Sequence, residues 1–96
     1  MRAGKLRASF TRRASAEYLE GLLHIAADDL NAGLGVQDRI EAALDLLGER
    51  PSIGRPGLVP NTREFPVTRT PYTLVYRIRV KSIQVLRVLH QRREYP

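Results

Sequence analysis

The chain has 96 residues, of which 43% are hydrophobic, and it contains no cysteine. This length predicts a single domain spanning residues 1–96, and the lack of cysteine excludes a disulfide framework or a thiolate zinc site. No apolar run approaches the roughly 20 residues that span a bilayer, and no signal peptide is recognised, so the sequence predicts a cytoplasmic protein without membrane contact.

The net charge of +6 is distributed unevenly along the chain. Residues 1–49 carry six basic and eight acidic side chains, whereas residues 50–96 carry ten basic and only two acidic ones. A half with such an excess of cations attracts nucleic acid, an acidic protein or a phosphate-rich assembly. A cationic surface that has no specific partner would show the same composition.

The N-terminal half predicts a strand and then a helix. Residues 5–10 alternate as a short strand, and either Thr11 or Ser9 is suited to cap the helix that follows. We expect this helix from about Arg12 to Leu30, because apolar residues recur along one stripe at helical spacing: Leu19, Leu22, Leu23, Ala26 and Leu30.

A second helix is expected from about Val36 to Leu47. Residues 31–35 contain two glycines and are interpreted as the break between the helices. Two amphipathic helices joined by so short a loop predict an antiparallel hairpin. The second helix has its own apolar stripe, made of Val36, Ile40, Ala43, Leu44 and Leu47.

The C-terminal half predicts three strands after a loop. Residues 50–61 are rich in proline and glycine and favour no regular element. Residues 62–68 form a plausible strand in which Pro66 indicates a bulge or an edge position. Residues 72–80 alternate with period two, and residues 83–90 are apolar on both faces, as in a central strand. Lys81 and Ser82 connect the two, and a longer or bulged turn is expected because neither residue favours positive φ.

The order β-α-α-β-β-β predicts an α+β fold. The helical hairpin is expected to pack on one face of a small antiparallel sheet. No phosphate loop or nucleophile elbow is present, and His24 and His90 have no neighbouring ligands in the sequence. The sequence therefore predicts neither a metal site nor a cofactor.

The strongest chemical signal is a set of arginines near the C-terminus. If the helices cover the Tyr76 face, Arg77 and Arg79 lie on the opposite, open face, where guanidinium groups could bind phosphates or carboxylates. Tyr95 could stack on a base. Alternatively, some of these arginines, Arg63 in particular, pair with carboxylates or backbone groups. The candidate set for binding a target is Arg77, Arg79, Arg87, Arg92, Arg93 and Tyr95.

Three sequence motifs stand out in the second half of the chain. They are P-x-I-G-R-P-G-x-V-P-N-T-R-E-F from Pro51, Y-x-L-V-Y-R from Tyr72, and R-V-L-H-Q-R-R-E-Y-P at the end. In this order and spacing they resemble the ParE/RelE family of bacterial toxin–antitoxin toxins. The resemblance covers nearly the whole chain and implies the same fold. It also implies a cognate antitoxin as partner, of a ParD-like or RelB-like kind with a ribbon-helix-helix or similar part and a disordered C-terminal tail.

The family has two main activities. RelE-like members cut messenger RNA on the ribosome, whereas ParE-like members poison DNA gyrase. RelE-like members usually carry an arginine directly before L-V-Y, and this position is Thr73 here. The G-R-P, L-H-Q-R-R and E-Y-P segments resemble the corresponding sequences of ParE-like members. The resemblance therefore favours a gyrase poison that acts by binding.

Two other functions stay open at this stage. One is a RelE-like ribosome-dependent endoribonuclease, and the other is a nucleic-acid-binding module without toxicity. An endoribonuclease would need cations near the scissile phosphate and groups that transfer protons. The residues available for these roles would be Arg63, Arg77, His90, Arg93 and Tyr95.

Overall fold

The structure is a computed structural model and describes residues 5–96. Two helices follow the first strand, and four further strands complete the chain. The elements are β1 (Arg7–Phe10), α1 (Arg12–Asp28), α2 (Leu30–Glu49), a 3-10 turn (Pro51–Ile53), β2 (Arg55–Pro56), β3 (Arg63–Pro66), β4 (Tyr72–Ile78) and β5 (Ser82–His90). The predicted α+β fold with two helices between the first strand and the later strands is confirmed.

All five strands form one sheet in the order β1-β5-β4-β3-β2. The β5-β4 and β4-β3 pairs are antiparallel, as predicted, and so is the β3-β2 pair, but β1 pairs with β5 in parallel. The sheet is therefore mixed rather than wholly antiparallel. The predicted loop at residues 50–61 also contains β2, which only its pairing with β3 reveals. Pro66 ends β3 at a position that has no partner on β2, so its missing N–H costs no hydrogen bond.

The boundary between the helices differs from the prediction. Thr11 caps α1 by accepting a hydrogen bond from the Ala14 N–H, and α1 ends at Asp28. Asp29 alone separates the helices, and its carboxylate caps α2. Residues 31–35 are helical, and Gly33 is buried where α2 crosses α1. A Cβ on this glycine would lie 2.9 Å from the Ala26 Cβ, so its role is close helix packing rather than helix termination.

The hydrophobic core lies between the helical hairpin and one face of the sheet. From β4 and β5 it takes Tyr72, Leu74, Tyr76, Ile83, Val85 and Val88. The predicted stripe of α2 is buried in full, so that prediction is confirmed. The predicted stripe of α1 is wrong in part. Leu19, Leu23 and Leu30 are 59–64% exposed, and the residues that meet the core are Ala14, Tyr18, Leu22 and Ile25.

A bulge in β5 changes which of its side chains face the helices. Val75 pairs with Arg87 but Tyr76 pairs with Val85, so Leu86 has no partner across the ladder. Arg87 consequently shares a face with Val75, opposite the helix side. Val75 is fully buried although it lies outside the helix-side core, so the second face of the sheet is covered at this point.

Candidate functional site

The C-terminal tail folds back onto the sheet. The Gln91 N–H donates to the Pro71 carbonyl at 2.7 Å, and the Arg93 N–H donates to the His90 carbonyl at 2.8 Å. The ring of Tyr95 lies 5.6 Å from the guanidinium carbon of Arg87, a cation–π contact. The last residues of the chain are therefore packed against the end of β5.

Arg87 is engaged in an ion pair with Glu17 of α1. Its Nη2 lies 2.8 Å from Oε2 of Glu17, its Nε donates to both carboxylate oxygens at 3.1 Å, and the Val88 N–H donates to Oε1 at 3.0 Å. The two side chains are only 11% and 12% exposed. Arg87 was predicted to contact a target, and the structure shows that its guanidinium is held by this carboxylate. Sequence reasoning missed Glu17, which is 70 residues away in the chain.

The environment of this pair fixes its charge state. Burial raises the pKa of Glu17, but the hydrogen bonds from Arg87 and the Val88 N–H outweigh it and leave the pKa below its ordinary value. The same carboxylate raises the pKa of Arg87. Both groups are therefore charged at neutral pH, and together they fix the edge of β5 beyond the end of β1.

A pocket of about 300 Å³ lies between α1 and the end of β5. It brings His90 and Arg93, both predicted site residues, together with His24 of α1. The pocket is also lined by Glu17, Glu20, Gly21, Tyr72 and Val88. Only the tertiary structure unites the two histidines, since 65 residues separate them in the chain and nothing near either one indicates the other.

Gly21 leaves room for one wall of this pocket. A Cβ at this position would collide with the hydroxyl of Tyr72 and approach its ring carbon Cζ to 2.9 Å. Burial raises the pKa of Tyr72, and the nearby Glu20 adds to this effect, so the phenol is neutral in the physiological range. The ring of Tyr72 packs edge-on against His90, with centroids 5.4 Å apart. These contacts hold His90 at the end of β5.

Arg63 and Arg77 lie in a different pocket, also of about 300 Å³, near the other end of β4. Arg63 donates to the carbonyl groups of Ser52 and Gly54, at 3.1 and 2.8 Å, which holds the loop before β2. Arg77 donates to the Gln84 side chain at 2.8 Å. For Arg63, the structure thus supports the interpretation that it has a structural role.

The five residues proposed for RNA cleavage are not gathered in one pocket. Tyr72 pairs with His90, whereas Arg77 pairs with Gln84. Arg77 lies five positions after Tyr72 on β4, which corresponds to about 16 Å at the usual rise per residue. His90 and Arg93 thus stand at one end of the sheet, and Arg63 and Arg77 at the other. Arg79 and Arg92 are exposed, and within residues 5–96 neither has a carboxylate within 4.0 Å.

The glycine of the I-G-R-P-G motif has a structural role. The hydroxyl of Tyr76 accepts a hydrogen bond from the Gly54 N–H at 3.0 Å and donates to the Pro51 carbonyl at 2.6 Å. A Cβ on Gly54 would lie within 3 Å of the Tyr76 ring and hydroxyl, so only glycine fits without movement. These contacts join the first two motifs, since one supplies the loop and the other the tyrosine that holds it.

The sequence-family model described as "ParE toxin of type II toxin-antitoxin system, parDE" matches residues 8–95, nearly the whole chain. The protein belongs to the ParE toxin family. It is thus a type II toxin–antitoxin toxin of the ParE/RelE superfamily, as the three motifs predicted.

Named relatives of this ParE-family chain agree with the assignment. It is 37% identical to "Putative toxin Y4kP" of Sinorhizobium fredii over 90 residues, covering 94% of this chain and 93% of that protein. It is 34% identical to toxin RelE1 of Caulobacter vibrioides over 80 residues, covering 81% and 85%. A solved structure from P. aeruginosa, described as a chromosomal ParDE system, matches with a TM-score of 0.78 and 25% identity, covering 90% and 96%. Among residues 5–96, no helix is long and apolar enough to cross a membrane.

Proposed function

We propose that this ParE-family protein arrests growth by binding DNA gyrase rather than by cutting RNA. The observation that carries this proposal is the separation of the candidate catalytic residues, because Arg77 lies five positions along the sheet from the residue paired with His90, about 16 Å, and Arg63 is paired beside it with Tyr76. A phosphodiester transition state is stabilised by cations and proton donors within hydrogen-bond reach of the same reacting group. Thr73 also stands where the resemblance places an arginine in RNA-cleaving members.

The exposed tail supplies charge for a binding mechanism. Arg92 and Arg93 follow β5 and are exposed, and complementary charge steers and orients a partner protein. Toxicity by binding therefore depends on these charges and does not require His90 or Tyr95 to transfer protons. Replacing both acid–base candidates should leave such a toxin active, whereas reversing the tail charges should not.

The test is growth arrest from an inducible plasmid without antitoxin. We expect H90A/Y95F to remain toxic and R92E/R93E to lose toxicity at equal protein level and with unchanged circular dichroism. R12E/R39E reverses two exposed charges on the helices and is the matched control, which we expect to stay toxic. Purified wild-type protein should also alter plasmid topology or trap cleaved DNA with gyrase in vitro. The absence of any effect on gyrase would refute this target.

One observation favours a second candidate, a ribosome-dependent endoribonuclease. The pocket beside α1 unites His24, His90 and Arg93, which is a combination of possible proton donors with a cation. On this hypothesis H90A/Y95F would lose roughly 10²–10⁴-fold in cleavage rate. Primer extension on induced cells decides between the two, because ribosome-positioned cuts together with a harmless H90A/Y95F would replace the gyrase assignment.

We also propose that an acidic, disordered antitoxin segment neutralises the protein by folding along the helical hairpin. Leu19 and Leu23 of α1 and Leu30 and Leu34 of α2 are 48–64% exposed, on either side of the turn at Asp29. Segments that fold on binding insert apolar anchors of this kind while their carboxylates meet cations, and the net charge of +6 suits them.

Co-expression with the adjacent gene tests the antitoxin surface. Wild-type protein should copurify with a small acidic partner, and L23E/L30E should abolish this copurification. L58E is the matched control, because Leu58 is 70% exposed but lies in the loop after β2. Equal copurification of L23E/L30E and wild type would show that the partner binds elsewhere.

A further inference from the structure

The β4-β5 hairpin ends in an apolar tip between cations. The Arg79 N–H donates to the Ser82 carbonyl at 2.8 Å, which closes a tight turn with Val80 and Lys81 at its end. Val80 is 93% exposed, more than any other large hydrophobic side chain in the described part of the chain. Strand pairing ends at Ile78 and Ile83, so Val80 and Lys81 project beyond the paired strands. Among residues 5–96, almost no side chain therefore covers this valine.

Four cations surround this tip. Arg79 and Lys81 flank Val80, Arg77 precedes them on β4, and Arg7 of β1 pairs with Ser82 in the neighbouring ladder. Within residues 5–96, none of the four has a carboxylate within 4.0 Å, and the only polar side chain that Arg77 contacts is the neutral Gln84. The end of the hairpin therefore carries four positive charges that the described structure does not neutralise.

The density of these charges suits a regular polyanion. Duplex DNA carries one phosphate per roughly 1.7 Å of helix axis, so several phosphates fall within reach of long arginine and lysine side chains at one end of a hairpin. Minor-groove proteins also combine cationic side chains with apolar ones that insert between base steps.

We propose that the hairpin tip, defined as Arg77, Arg79, Val80, Lys81 and Arg7, binds the phosphate backbone of duplex DNA without sequence preference. The cations contact phosphates on both sides of the minor groove, and Val80 contacts the sugars between them. This surface lies at the end of the sheet opposite His90 and the tail. The inference is independent of the proposed gyrase target, because the tip would bind DNA in the absence of any other protein.

The salt dependence of DNA binding tests the proposal quantitatively. Four phosphate contacts predict a slope of about −3.6 for log K against log salt, so binding of a labelled 20-bp duplex should weaken about a hundredfold between 50 and 200 mM salt. R79Q/K81Q removes two contacts, and its slope should fall to about −1.8 with roughly tenfold weakening over the same range. Fluorescence anisotropy of the purified protein measures both values.

Controls separate this surface from general attraction to a cationic protein. R39Q/R69Q removes the same charge near the other end of the sheet, where both side chains border one pocket, and should keep the wild-type slope. V80S should weaken binding severalfold without changing the slope, since it removes an apolar contact and no charge. A slope in R79Q/K81Q equal to that of wild type would overturn the proposal. So would equal competition by polyglutamate at matched charge, which would indicate an acidic protein segment as the occupant, or equal affinity for an RNA duplex.

Discussion

Removal of the Glu17 carboxylate is the most informative single change in this fold. Glu17→Ala leaves the guanidinium of Arg87 largely buried without its counter-ion and the Val88 N–H without its acceptor. Breaking a buried ion pair from one side typically costs about 3–5 kcal/mol. At about 0.05–0.15 kcal/mol per residue, a chain of this length has a free energy of unfolding of roughly 5–14 kcal/mol. The substitution therefore removes a large share of the total stability.

Thermal and urea unfolding followed by circular dichroism at pH 7 measure the effect. Each kcal/mol lowers the melting temperature of a domain of this size by about 4–8 °C, so a loss of 3 kcal/mol corresponds to roughly 12–24 °C. Glu41→Gln is the control, because it weakens an exposed hydrogen bond from Tyr18 that is 2.8 Å long. We expect the control to change stability by at most about 1 kcal/mol.

A double variant separates the ion pair from the packing of its carbon atoms. E17L/R87M removes both charges while it keeps apolar volume, and it should recover most of the stability lost in E17A. If E17A melts within about 2 °C of wild type, the guanidinium is solvated without its partner and the buried-pair interpretation is refuted.

Three further predictions follow from burial, packing and charge. The pKa of Glu17 is lowered in the folded protein, so the contribution of Glu17 to the free energy of unfolding is complete above the ordinary glutamate pKa of about 4.3 and is lost as pH falls through the folded pKa. The difference in stability between wild type and E17Q should therefore shrink on acidification below about pH 5. A difference that grows on acidification would contradict this prediction. Leu44→Ala should lower the free energy of unfolding in urea by about 2–5 kcal/mol, because Leu44 is only 7% exposed. Leu23→Ala should change it by no more than about 0.5 kcal/mol, because Leu23 is exposed. Equal losses would show that the assigned buried face of α1 is wrong. Gly21→Ala should destabilise the protein by about 1–3 kcal/mol in thermal melts, because the added methyl group displaces the Tyr72 phenol. Gly35→Ala is the matched control, because its Cβ would meet only the end of the Arg39 side chain, and it should be neutral or stabilising.

The two helices illustrate how far periodicity alone can decide which face is buried. The apolar residues of α2 fall on one stripe, so the sequence identified its buried face correctly. On α1 two apolar stripes exist, one with Tyr18 and Ile25 and one with Leu19 and Leu23. Hydrophobicity favours the leucines, but the core takes the other stripe. Periodicity cannot distinguish an apolar helix face that packs on the sheet from one that stays exposed on the protein surface.

The candidate site shows a similar division. The sequence identified the C-terminal cations and His90, and the structure places His90 and Arg93 in one pocket. It could not reveal that Glu17 holds Arg87, because the contact joins residues 70 positions apart. The bulge at Leu86 also decides which face of the sheet Arg87 starts from, and a single extra residue in a ladder leaves no distinctive pattern in the chain.

By itself the sequence determined the order of elements other than β2, the family and the excess of cations in the second half, because these depend on local spacing and on motifs read in chain order. The tertiary structure decided that β1 pairs in parallel and that Gly33 lies inside a helix. It also decided the roles of the arginines: Arg87 forms a buried ion pair, Arg63 holds the loop before β2, and others are exposed. Each of these depends on which residues meet in three dimensions, and for β1 with β5 and for Glu17 with Arg87 the partners are 70 or more positions apart. Such contacts are fixed by packing and by the need to neutralise buried charge, which local sequence patterns do not contain.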